Sequence, residues 1–193
     1  MSSGQTSPRR TGTATALRTV PATHRGEIVE GQLFVQLKED EVQRAIGSAL
    51  VTALRAPFQR GRGGPGGWWF VQEGRIKLAE SDFSPDLAGW HVERVPTRPI
   101  ARDKVAVVPD WVCEVHSATT RGYDFLVKRA FYARLGVSTL WFIDPDARTL
   151  FVSKLVRGRW CDVGVYGESD EVRVEPFEEH SVKCAEWWRG ATG

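Results

Sequence analysis

The chain has 193 residues, 41% of them hydrophobic and 26% charged, enough apolar material for one compact core and too much for a disordered or fibrous polypeptide. Its longest uncharged apolar runs, such as residues 138–143, fall far short of the roughly 20 residues that cross a bilayer, and the opening residues hold no signal-peptide core, so a cytoplasmic protein with no membrane contact is expected. A net charge of +2 cannot by itself hold a nucleic acid, and Cys113, Cys161 and Cys184 lie too far apart for a zinc site or disulfide framework.

Residues 1–24 are rich in Ser, Thr, Arg and Gly without a hydrophobic period, which predicts a disordered arm ahead of a single domain over residues 25–190. EIVEGQLFVQL alternates about Gly31 and predicts two short strands joined by a tight turn. Val42, Ile46, Ala49, Leu50, Ala53 and Leu54 then recur at helical spacing, and the helix should stop before Pro57. A glycine-rich loop follows, QRGRGGPGG, and from Trp68 the segments WWFVQEG, RIKLAES and SPDLAGWHVE read as strands. DWVCEVHS has the content of a central strand. In TTRGYDFLVKRAFYARLGV, Phe125, Leu126, Ala130, Phe131, Ala133 and Leu135 predict the apolar face of a second helix, capped by Gly136. TLWFIDP suits a buried strand, and the remainder reads as an antiparallel meander with turns at Gly158 and Gly167. This order predicts a mixed α/β (α+β) fold, a sheet flanked by helices.

Chemistry concentrates in SPDLAG, DWVCEVHS and the helix that carries Lys128. If the strands of Asp86 and Glu114 pair, two carboxylates converge at one end of the sheet, and such a pair with substrate oxygens and water suffices for Mg²⁺. A nearby lysine can orient and help deprotonate an attacking water and can stabilise charge on a phosphate. Lys128 fits that role, although Asp124, one turn earlier, offers it an i,i+4 ion pair and hence a purely structural alternative. Glu114, flanked by Trp111, Val112, Cys113 and Val115, sits where a carboxylate is seldom found unless it is paired or binds a cation.

The stretch PDWVCEVHSATTRGYDFLVKRAFYARLGVSTLWFIDPDARTLFV resembles the Uma-two family of restriction endonuclease-like proteins, a branch of the PD-(D/E)XK nuclease superfamily. EIVEGQLFV, GGWWFVQE and SPDLAGW resemble that family's earlier strands, so the likeness covers roughly residues 27–165. It implies a restriction endonuclease-like core and a metal-dependent endonuclease acting on DNA, with Mg²⁺ or Mn²⁺ as cofactor. It also implies that Asp86 and Glu114 are the metal-binding acids and that Lys128 stands in for the superfamily's strand lysine. Three departures stand out: His116 where the family has an apolar residue, Val42-Gln43 where it has His-Gln, and Arg75 near an expected acid, with Glu73 still close by. Glu73, His116 and Asp124 are therefore accessory candidates. His116 either points into the site or packs at the strand end.

Two functional readings stay open at this point, beside a purely structural α/β domain with no active site. One is the active endonuclease, contacting DNA through basic residues such as Arg60, Arg62, Arg121 and Arg129, with a homodimer expected by analogy with enzymes that cut both strands. The other is a catalytically inactive relative, weakened at Arg75, that binds nucleic acid or a protein partner.

Overall fold

The computed structural model describes residues 10–38, 41–100 and 105–188. The predicted arm lies partly outside that range, and from residue 10 onward it is not an arm. Strand β1 (Arg10–Thr11) pairs with a later strand, and helix α1 (Ala14–Arg18) is capped by Thr13, whose hydroxyl accepts from the Ala16 amide at 3.0 Å. The composition of this segment hid that order, because the partner strand comes from elsewhere in the chain.

Strands β2 (His24–Val29) and β3 (Gln32–Leu37) form the expected hairpin, with Glu30 and Gly31 both at positive φ as its two-residue turn requires. With β5 (Ile76–Leu78) and β6 (Ser81–Phe83) they make an antiparallel sheet in the order β1-β3-β2-β6-β5. A larger sheet holds β4 (Trp68–Gln72), β7 (Leu87–His91), β8 (Trp111–Val115), β9 (Thr139–Asp144), β10 (Thr149–Val156) and β11 (Arg159–Tyr166), in the order β11-β10-β9-β8-β7-β4. Only β8 and β9 run parallel in it, and the second helical region crosses between them. Two short strands, β12 (Glu171–Val172) and β13 (Val182–Lys183), pair near helix α5 (Ala185–Trp188). Among the described residues no helix is long and apolar enough to cross a membrane.

Helix α2 (Glu41–Leu54) covers one face of the larger sheet through Ile46, Leu50, Val51 and Leu54, then continues in a π-helical turn, Arg55–Gln59, that contains Pro57. The same layer holds Trp68, Phe70, Trp111 and Trp141 around Phe177, whose ring lies 5.1–5.6 Å from all four. Gly89 makes that packing possible, because a Cβ there would stand 3.1 Å from Trp111 and 3.3 Å from both Phe70 and Trp68.

The opposite face is covered by α3 (Arg121–Tyr123), a π-helical turn over Asp124–Lys128, and α4 (Arg129–Leu135), capped by Gly136 in the left-handed conformation at φ 82°. Here the predicted apolar face needs correction. Phe125 is 38% and Leu126 81% exposed, whereas Tyr123, Asp124, Lys128, Phe131 and Tyr132 are buried. The π-helical turn shifts the helical phase, and ion pairing lets Asp124 and Lys128 occupy positions that hydropathy assigns to Phe125 and Leu126.

Candidate active site

Side chains alternate across β8, so Trp111, Cys113 and Val115 enter the layer under α2 while Val112 and Glu114 face α4. Leu87 pairs with Cys113, and extending that antiparallel register by one residue sets Asp86 opposite Glu114 on the α4 side. The two acids predicted to converge therefore stand at the same end and the same face of the sheet. Both line one cavity of about 20 Å³, room for a single water molecule or an ion of that size.

Each wall of the cavity comes from a different element. Asp86 accepts from the Val115 amide at 2.7 Å and pairs with Arg25 of β2 at 3.0 Å. Glu114, 1% exposed, receives the Lys128 ammonium on both oxygens at 3.0 and 3.1 Å and the Tyr132 hydroxyl on one of them. Lys128 also reaches Glu27 at 3.4 Å and Asp124 at 3.8 Å. The i,i+4 ion pair foreseen between Lys128 and Asp124 is therefore present, but the lysine is 3% exposed and its shorter ion pairs are with Glu114 and Glu27.

Glu27 is the principal residue that sequence reasoning missed. It sits on β2 in the smaller sheet, 3% exposed, accepting from the Ser84 amide at 2.7 Å and from the Tyr123 hydroxyl at 3.0 Å. Gln43, singled out in the sequence only as a departure from the family pattern, also reaches the site, its amide donating to the Val115 carbonyl at 2.6 Å from the first turn of α2. The signal for Tyr132 was present in the sequence. Asp124, Lys128 and Tyr132 recur every four residues, a helical stripe of groups that hydrogen bond.

Of the accessory candidates, Asp124 joins the cluster, while His116 and Glu73 do not line the cavity. His116 packs at the strand end, as one of its two readings expected. Its Nδ1 lies 3.1 Å from Asp124 and its ring stacks on Phe142 at 4.6 Å. Glu73 is exposed, and its amide donates to the Asp86 carbonyl at 2.9 Å. Arg75 pairs with Asp82 and likewise stays outside the cavity.

The electrostatics follow from burial. Desolvation pushes the Glu114 carboxyl well above the ordinary carboxylate range; Lys128 opposes this, and Asp86, Asp124 and Glu27 reinforce it. For Lys128 burial works toward deprotonation, but Glu114, Glu27, Asp124 and Asp86 together outweigh it and raise the ammonium above its ordinary value. An ammonium held in this way serves as a fixed charge. Burial and then Glu114 also raise Tyr132, which stays a hydroxyl donor.

Four carboxylates, Glu27, Asp86, Glu114 and Asp124, line the cavity against the two cationic side chains of Arg25 and Lys128. The donors are hard oxygens and the excess charge is negative, which suits Mg²⁺ or Mn²⁺ rather than a softer ion. Among the described residues no three His, Cys, Asp or Glu side chains are grouped to cage a metal unaided, so an ion here would complete its shell with water or substrate oxygens.

Comparison with known proteins agrees with this fold. A crystal structure of a "putative nuclease belonging to DUF820" from Anabaena variabilis superposes with a TM-score of 0.66 at 19% identity, covering 86% of this chain and 91% of that one. None of the curated proteins matches. The sequence profile of the Uma2 family, described as "Putative restriction endonuclease", matches residues 15–185. With the profile running from α1 through the first residue of α5, the chain belongs to the Uma2 family.

Proposed function

We propose that the protein is a metal-dependent endonuclease of the PD-(D/E)XK type that hydrolyses phosphodiester bonds in DNA, with Asp86 and Glu114 binding Mg²⁺ or Mn²⁺ and Lys128 beside the reacting phosphate. The observation that carries this reading is the buried set of four carboxylates that line one cavity together with Arg25 and Lys128. Such a set costs folding energy unless a further cation shares the charge. A divalent ion bound there supplies Lewis-acid polarisation of the phosphoryl oxygen and acidifies a bound water.

The chain's own residues do the positioning. Arg25 and the Val115 amide fix the two oxygens of Asp86, and Tyr132 fixes one oxygen of Glu114. The Lys128 ammonium, charged at neutral pH, is placed to stabilise negative charge that builds on the phosphate in the transition state. Arg75, the departure that suggested an inactive relative, has its charge offset by Asp82 outside the cavity, which favours the active reading.

The test is cleavage of supercoiled and single-stranded DNA with Mg²⁺ or Mn²⁺, comparing the parent with Glu114→Ala. Metal-dependent cleavage by the parent alone is expected. Equal cleavage by the variant, or none by a folded parent with either ion, contradicts the proposal.

A further inference from the structure

Strand β4 forms one edge of the larger sheet, and beside it lies a second cleft of about 560 Å³, within the usual size range of ligand sites. Arg55, Phe70, Val71, Gln72 and the segment from Thr97 to Ile100 line it, and no acidic side chain does so among the described residues. Two guanidinium groups, those of Arg55 and Arg98, share this space. The Nε of Arg55 is buried and has no hydrogen-bond partner.

Elsewhere on the surface, arginines meet acids. Arg121 pairs with Asp144 at 2.8 Å and Arg129 with Asp162 at 2.7 Å, so two of the four DNA contacts expected from sequence already have counter-charges. Neither Arg55 nor Arg98 forms an ion pair among the described residues. Burial, then Arg98 and Arg60, lower the pKa of Arg55, as expected for a cation facing like charges. An unpaired buried N–H is costly and neighbouring like charges repel, and one anion with several acceptor oxygens would relieve both. Phosphate has that form, and the planar guanidinium fork matches it.

We propose that this cleft holds a phosphate of a nucleic-acid strand on Arg55 and Arg98, with the sugar or base resting on the exposed Ile100. The ligand class rests on the endonuclease reading, whereas the site rests on its own charges. Helix α2 separates it from the candidate active site: from Gln43 to Arg55 is twelve residues, about 18 Å of helix. That is about five nucleotides along one strand of B-form DNA. The cleft would therefore anchor the strand away from the cleaved bond and raise affinity without touching the chemistry.

The experiment measures anisotropy of a labelled oligonucleotide, duplex and single-stranded, across a salt series in EDTA, for the parent, Arg98→Gln, and the double variant with Arg55→Gln. The logarithmic salt dependence should shrink by about one unit per arginine removed, with affinity falling alike for unrelated sequences. Arg98 is exposed, so the single variant keeps the test valid if the double variant does not fold. An unchanged slope in Arg98→Gln, or no binding by the parent, overturns the proposal. So does Arg98-dependent binding of adenosine monophosphate without binding of the oligonucleotide, which would make the ligand a free nucleotide. Arg98-dependent DNA binding by a parent that never cleaves supports the cleft and contradicts the endonuclease reading instead.

Discussion

On one face of β8, Trp111, Cys113 and Val115 sink into an apolar layer beneath α2; on the other, Glu114 is buried equally deeply among charges. The apolar face holds through contact alone, and any well-shaped hydrophobe serves it. The charged face holds only while every ion keeps its partners, and hydrophobic replacements of similar volume would often be as stable or more so. The proposed endonuclease reading gives such a cluster a role that stability alone does not.

That contrast predicts how each face breaks. Trp111→Ala should cost about 3–5 kcal/mol in denaturant melts, with no single second change to restore it, because the cavity is ringed by Phe70, Trp141 and Phe177. Lys128→Met should cost about 3 kcal/mol by leaving its carboxylates unopposed, and adding Glu114→Gln should return most of the loss. A double variant no more stable than the lysine variant alone would mean that the charges do not govern this face.

Titration sharpens the comparison further. The folded pKa of Glu114 lies above 4.5, so its contribution to stability is fully present below pH 4.5 and is lost as pH rises through the folded value. The contribution of Lys128, raised above 10.5, persists to pH 10.5 and is lost only above it. Glu114→Gln should therefore flatten the fall in stability that begins above pH 4.5. Parallel pH profiles of parent and variant would remove Glu114 from that account. The smallest effect expected is from Tyr132→Phe, about 1.5 kcal/mol for a buried hydrogen bond to a charged group, read from thermal melts.

Much of the apolar face was legible in the sequence. Ile46, Leu50 and Leu54 recur at helical spacing, and the turns at Gly31, Gly136 and Gly158 all have positive φ. The charged face was legible only in part. Asp86, Glu114 and Lys128 stood out because they sit near strand ends or one helix away, whereas Glu27 reaches Tyr123 across 96 residues from a separate sheet. Local hydropathy also misplaced the buried stripe of the π-helical turn before α4, since it scores Phe125 and Leu126 as interior and cannot foresee ion pairing between Lys128 and Glu114. The ordered start at β1 escaped for the same reason, its partner β3 lying some twenty residues on.

The central claim is that Asp86 and Glu114 together hold one divalent ion, and Mn²⁺ binding followed by electron paramagnetic resonance tests it most directly. The parent should take up one Mn²⁺ per chain, displaced by excess Mg²⁺, while Asp86→Asn and Glu114→Gln, each shown to be folded, should take up none. Undiminished uptake by either folded variant, or none by the parent, would contradict the account.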